Sequence, residues 1–435
     1  MSEIDVLIRA RWMLKLDGTR TVIENAALAM AGDKIVYAGP AAEAPREAAE
    51  IVELGQHVLL PGLVNAHGHA AMTLFRGLAD DLPLMTWLQE HIWPAEGQWV
   101  SGQFVEDGTR LAIAEMLRSG TTTFSDMYFF PEVASRVAEA EGMRVQICCP
   151  LMDFPTPWGQ GPDDYLEKTV ALAAQWRGSN WVQVALGPHA PYTVSDEPFR
   201  KVVAAAQEHD LPIQVHLQET AVEVEQAIAN TGKRPTQRLA ELGVLNPRTQ
   251  CVHMTQIDET DLAILKETGA HIVHCPESNL KLASGICPVN TLLEHGINVA
   301  LGTDGAASNN DLDMFGEMQT AALIAKVQSN DAAAVNAWQA LEMATMGGAR
   351  ALGLADRIGS LEPGKFADVI AVDMGDLFVQ PVYNLHSHLV YSMSARQVSD
   401  VWTAGKRRLA NGRLTSLDTA ALRERIADWQ ARIKS

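Results

Sequence analysis

Val58-Leu59-Leu60-Pro61-Gly62-Leu63-Val64-Asn65-Ala66-His67-Gly68-His69 opens as a continuous apolar run. That pattern suits a strand buried on both faces of a parallel sheet. The run closes in His-Gly-His. Side chains at i and i+2 of a strand point the same way, so His67 and His69 are expected to project together from its C-terminal end. Neutral imidazole is the commonest protein ligand for metals, and two rings on one face make half of a zinc-type site. The competing reading is two histidines that merely cap a strand. It stands unless other segments supply the remaining ligands.

Downstream, strand-like runs recur at Thr121–Ser125, Arg144–Cys148, Val182–Leu186, Ile213–His216, Gln250–His253, His271–His274 and Ile297–Leu301. Helical patterns lie between them: Val105, Ala112 and Met116 share a face ahead of Gly120, and Asp258 and Asp261 start a helix that Gly269 ends. Eight alternating β/α units predict an α/β fold of the (β/α)8 barrel type over residues 58–356, with an open doubly wound sheet as the alternative. Short strands are expected at Val6-Leu7-Ile8, Ala26–Met30 and Lys34–Ala38, and again at Ala367–Val372, Leu389-Val390-Tyr391 and Val398–Trp402. Neither group closes a sheet alone. Residues 1–57 and 357–435 are therefore expected to meet in one small β-sandwich domain.

Barrels place their active sites at the C-terminal ends of the strands. Those ends carry His67 and His69, His189, His216 with Glu219, His253, His274 and Asp304, which is six of the 13 histidines with two acids. Scattered surface histidines would not keep this register, so the metal reading prevails. His67, His69, His216 and Asp304 form the expected ligand set. Nitrogen and oxygen donors with an open position suit one catalytic zinc, with iron or manganese as alternatives. Such an ion lowers the pKa of coordinated water from near 16 to about 7. The run from Trp181 to Ala190 holds no lysine to bridge a second metal. Glu219, three residues past His216, is placed to shuttle protons; otherwise it is a helix-start acid. His253 is expected to orient the nucleophile or stabilise the leaving group. His274 reads equally well as a structural turn residue.

Ala71–Val100 is too long for an ordinary βα connection. Its Met72, Leu74, Phe75, Leu82, Met85, Trp87, Ile92 and Trp93 suit the wall of an apolar pocket. Glu96, at its end, would hold ligand hydroxyls there; taken alone it reads as a solvated loop acid.

The net charge is −19. An acidic chain repels phosphates and anionic lipids, so neither nucleic acid nor membrane is an expected partner. Five cysteines without CxxC spacing indicate free thiols in a reducing cytoplasm. Met1–Leu7 carries acids where a signal peptide has bases, and no run reaches membrane-spanning length. A cytoplasmic homo-oligomer acting on a small molecule is expected.

The opening run, His216-Leu217-Gln218-Glu219, Gly302-Thr303-Asp304 and Gly359–Asp368 resemble the amidohydrolase superfamily. Within it, Met72–Gly77, Trp93–Glu96, Gly187–Tyr192 and Ser278–Gly285 are similar to the deaminases of methylthioadenosine and S-adenosylhomocysteine. The resemblance implies a zinc-dependent deaminase of adenine nucleosides. It further implies metal ligands at His67, His69, His216 and Asp304, a ribose contact at Glu96 and a substrate contact at His189. Glu219 would meet the purine ring nitrogen. Some members carry an arginine after the third strand, but Trp158–Tyr165 has none, which favours the methylthio substrate over one bearing a homocysteine carboxylate. Alternatives are a sister hydrolase of guanine, a pterin or an s-triazine, a non-catalytic scaffold, or a structural zinc protein.

Overall fold

The computed structural model describes residues 4–434, so Met1-Ser2-Glu3, part of the opening read as lacking a leader, lies outside the described residues. The chain forms β1 (Val6–Leu14), β2 (Val22–Ala31), β3 (Lys34–Pro40) and β4 (Glu50–Pro61) before entering the barrel. The barrel strands are β5 (Leu63–Asn65), β6 (Thr121–Asp126), β7 (Arg144–Leu151), β8 (Val182–Pro188), β9 (Ile213–Leu217), β10 (Thr249–His253), β11 (His271–His274) and β12 (Val299–Leu301). Four more follow: β13 (Val369–Asp373), β14 (Val398–Thr403), β15 (Lys406–Ala410) and β16 (Arg413–Leu414).

Strands β5 to β12 pair in chain order, all parallel. Ala66 N–H donates to Leu301 O at 2.9 Å, which joins the first strand region to the last and closes the cylinder. The other eight strands run in the order β16-β15-β14-β13-β4-β1-β2-β3, so both chain ends build one mixed sheet. That sheet curls on itself. Ile35 N–H donates to Lys365 O (3.0 Å) and Ala367 N–H to Asp33 O (2.9 Å), and Ile8, Leu28, Val369 and Trp402 share one core.

Two sequence expectations change here, and one strand is added. The run from Val58 is not one barrel strand. Val58–Pro61 ends β4, pairing with β1 and β13 in the terminal sheet, and only Leu63–Asn65 enters the barrel. Gly62 makes the crossing because a Cβ there would overlap the Thr122 side chain. Second, Leu389-Val390-Tyr391 belongs to a helix, Leu385–Tyr391, capped by Asn384 accepting from Ser387 N–H at 3.0 Å. The added strand is β4 from Glu50, which its sequence pattern does not announce.

The helix Gly102–Arg118 lies against the short 3-10 turn Ala70–Phe75 that follows His69, with Phe75 and Phe104 rings 4.7 Å apart. The C-terminal helix Thr419–Lys434 covers it, Trp429 Nε1 donating to buried Asp107 at 3.0 Å. The expected helix at Asp258 starts with a capping box between Asp258 and Asp261 and stops at Gly269. Among the described residues no helix is long and apolar enough to cross a membrane.

Candidate active site and metal centre

At the C-terminal mouth of the barrel His67, His69, His216 and Asp304 converge. His69 Nε2 and His67 Nε2 lie 3.1 and 3.4 Å from Asp304 Oδ1, and His216 Nε2 lies 3.2 Å from His67 Nε2. Donors about 2.0–2.1 Å from a tetrahedral ion stand about 3.3–3.4 Å apart, which these three separations approach. His67, His69 and Asp304 form one trio of possible ligands within 4.8 Å and His67, His216 and His253 another, joined through His67.

Each ring is aimed by its other nitrogen. Nδ1 of His67 bonds Gln214 Oε1 (2.7 Å), that of His69 bonds Met127 O (2.6 Å) and that of His216 bonds His189 O (2.8 Å). Oxygen acceptors fix the hydrogen on Nδ1 and leave every Nε2 lone pair facing the common point. Ser278 Oγ (2.6 Å) and Ser308 Oγ (3.0 Å) donate to Asp304 Oδ2, which frees Oδ1 for the centre. Burial opposes ionisation of Asp304, but the His67 and His69 rings beside Oδ1 outweigh that and hold the carboxyl well below the usual range. Asp304 (φ 61°), His253 (φ 77°) and Gln218 (φ 50°) all sit in left-handed backbone. Such strain, about 1–3 kcal/mol each, persists only where the surroundings over-determine it.

His253 differs from the other three. Its Nδ1 accepts from Asn279 Nδ2 at 3.0 Å, so Nε2 carries the hydrogen and points toward Glu219 Oε2, 3.8 Å away. In that tautomer it donates, and the ring also stands within 4.8 Å of His67 and His216 as a second trio of possible ligands. Glu219 is buried, its Oε1 accepting from Ser284 Oγ at 3.0 Å, and burial, reinforced by Asp304, pushes its carboxyl up to about 8. His189 Nδ1 bonds Thr193 Oγ1 at 2.9 Å; burial lowers the ring to about 3, so it stays neutral. His274 is buried beyond this circle, with neither ring nitrogen hydrogen-bonded.

Above the cluster opens a cavity of about 250 Å³. Met72, Trp87, Ile92 and Trp93 line it as expected, facing Met152, Phe154, Pro155 and Pro157. Phe75 instead packs in the core, Met85 is exposed, and Leu74 and Leu82 pack half-buried against the core and not on the cavity wall. Glu96 is not the solvated loop acid its sequence context suggests. It is 8% exposed on the helix Trp93–Trp99, beside the Tyr128 hydroxyl, and burial raises it to about 7. No lysine or arginine is among the lining residues described. Sequence reasoning missed the supporting groups Gln214, Ser278, Ser308, Asn279 and Tyr128. Only the Ser278-Asn279 pair carried a signal, as part of a family-like motif.

A model of the amidohydrolase family matches residues 58–408. A 5-methylthioadenosine/S-adenosylhomocysteine deaminase of Saccharophagus degradans is 53% identical over 433 residues, 99% of this chain and 97% of its own. Its counterpart from Teredinibacter turnerae is 49% identical, covering 99% and 98%. The crystal structure of an adenosine deaminase from Xanthomonas campestris with bound zinc superposes with a TM-score of 0.98 at 47% identity, over 100% of this chain and 99% of that one. An atrazine chlorohydrolase from Arthrobacter aurescens shares the fold, with a TM-score of 0.91 at 22% identity over 98% of this chain and 100% of that one.

Proposed function

The chain belongs to the amidohydrolase family, and from that premise we propose that it hydrolytically deaminates adenine nucleosides, releasing ammonia and the hypoxanthine nucleoside. One observation carries the reading. His67 Nε2 stands at tetrahedral-edge distance from both Asp304 Oδ1 and His216 Nε2, and His69 Nε2 from Asp304 Oδ1, at the base of a cavity lined by His69, His216, Asp304 and Glu219. Relatives named as deaminases at 53% and 49% identity over nearly the whole chain support it.

His67, His69, His216 and Asp304 would hold one divalent cation, zinc by the chemistry of three imidazoles and one carboxylate. That cation supplies a Lewis acid and makes water nucleophilic at neutral pH. The chain's residues do the rest. Asp304, held ionised, takes one proton from the attacking water. Glu219, raised to about 8 by burial, is protonated at neutral pH and donates to the purine ring nitrogen beside C6. Oxygen then bonds C6, and the carbon becomes tetrahedral. Asp304 passes its proton to the amino group, the C6–N bond breaks and ammonia leaves. The remaining hydroxyl proton returns to Glu219. His253 Nε2–H faces the developing oxygen charge. Glu96, opposite the metal ligands, suits the ribose diol, and neutral His189 offers Nε2 to the substrate. A cytoplasmic homo-oligomer with two folding units, the barrel and the joined ends, completes this reading; the boundary expected at 58 moves to Gly62, because Val58–Pro61 pairs in the terminal sheet.

The 5′ side of a nucleoside so placed meets apolar wall and no cation. This favours adenosine and methylthioadenosine over a substrate bearing a homocysteine carboxylate. Steady-state comparison of adenosine, methylthioadenosine and S-adenosylhomocysteine at the adenine-to-hypoxanthine absorbance change, with metal analysis of the same preparation, tests both statements. Silence on all three nucleosides with metal bound would sink the deaminase reading. Equal kcat/KM for S-adenosylhomocysteine would sink only the preference.

A further inference from the structure

Glu219 sits on a turn that departs from ordinary strand-to-helix geometry. Gln218, a non-glycine residue, holds φ at 50°. The helix that follows, Ala221–Thr231, begins with Thr220-x-x-Glu223, and Thr220 Oγ1 accepts from Glu223 N–H. In a standard capping box the Glu223 carboxylate would return to the Thr220 N–H. Here it reaches further back. Its Oε1 accepts from Gln218 N–H at 3.0 Å and its Oε2 from Glu219 N–H at 2.8 Å.

Successive amides that converge because one residue is left-handed form a concave anion-binding nest. This nest is filled by the chain's own carboxylate, 8% exposed, at a helix start where the dipole favours negative charge. The opposite face of the turn is tied as well. Gln218 O accepts from Thr255 N–H (3.1 Å), and Glu219 O accepts from Thr255 Oγ1 (2.7 Å). Two carboxylate oxygens on two adjacent amides fix the peptide plane that launches the Glu219 side chain. Thr255 sets its height, and Ser284 catches Oε1 at the far end.

We propose that Glu223 is a positioning residue of the reaction, clamping the left-handed Gln218–Glu219 turn so that the Glu219 carboxyl faces the ring nitrogen of the substrate. Glu223 touches neither metal ligand nor cavity; it acts through Glu219. The proposal rests on the deaminase reading above.

A double-mutant cycle on the metal-loaded, full-length protein tests it, with methylthioadenosine or adenosine as substrate. E223Q replaces one acceptor oxygen by an NH2 that opposes a backbone N–H. It should lower kcat about 10–100-fold, the range for losing an outer partner of a functional group, with KM and bound metal nearly unchanged. E223D, which keeps the charge on a shorter stem, should recover part of kcat. In the E219Q background, E223Q should cost almost nothing further, because the group it positions is gone. Full additivity in the cycle, or an unchanged kcat with only a lower Tm, would overturn the proposal. If E223Q does not fold, the E223D cycle against E219Q decides the same question. A wild type that releases no ammonia from either nucleoside would remove the deaminase reading and this inference with it, whereas an active wild type beside an unaffected E223Q removes the inference alone.

Discussion

Ser278 Oγ donates to Asp304 Oδ2 at 2.6 Å, and Ser308 Oγ donates to the same oxygen at 3.0 Å. These bonds, not the strand, choose which carboxylate oxygen faces the histidines. Ser278→Ala should therefore weaken metal binding about 10–100-fold while leaving Tm nearly unchanged, measured by competition with a chelator. Unchanged affinity would mean that Ser308 and the backbone suffice to orient Asp304. The contrast with the ligands shows what a sequence displays at this scale. His67, His69, His216 and Asp304 were legible because metal chemistry admits few residue types and a barrel puts them at one recurring place, the strand end. Serines and glutamines are common everywhere. Gln214 supports His67 from 147 positions away, so topology alone reveals that pairing.

Barrel closure depends on one small residue. A Cβ at Gly302 would stand 2.9 Å from both His67 N and His67 O, backbone atoms that cannot yield without shifting a ligand. Gly302→Ala should cost about 1–3 kcal/mol by overpacking and reduce metal content. Gly55→Ala, whose Cβ meets nothing within 4 Å, is the control. Differential scanning calorimetry with metal analysis separates the two. Most elements were readable because barrel strands repeat one pattern: apolar run, turn, helix. The misreadings fall where that pattern does not discriminate. Leu389-Val390-Tyr391 is three apolar residues in a row, compatible with either element, and the Asn384 cap decided for helix. The first half of β4 buries only Val52 and Leu54, while Ile51 is exposed beside Glu50 and Glu53, so its apolar residues do not alternate cleanly. The apolar run at Val58 concealed its break because both sheets bury their strands on two faces.

Across the molecule, barrel and terminal sheet are joined by a buried ion pair. Arg144 at the start of β7 and Asp368 just before β13 are 3.3 Å apart with side chains each 4% exposed, and Asp368 also accepts from Ala404 N–H at 2.7 Å. Asp368→Ala strands a buried guanidinium and should cost about 3 kcal/mol or more in chemical denaturation; a smaller loss would show that Arg144 finds its solvation elsewhere. Glu317 adds a pH dependence. It is fully buried in the helix Met314–Ser329, accepting from Asn309 Nδ2 and Glu277 N–H. Burial, reinforced by Glu277 and Asp311, raises its carboxyl well above 4.5. The folded state therefore holds a proton that the unfolded chain releases, and this group's contribution falls as pH rises from about 4.5 through the folded value. Relative to wild type, Glu317→Gln should gain stability as pH rises above about 5. A constant difference would refute the assignment.

The order in which the strands appear carries a cost during synthesis. β4 borders β1 on one side and β13 on the other, yet β13 begins only at Val369, after the entire barrel. A chain still leaving the ribosome thus presents β4 with one flank of backbone amides and carbonyls unmatched, a template for pairing with a neighbouring nascent chain. That hazard ends only when the last stretch of the polypeptide arrives to cover it.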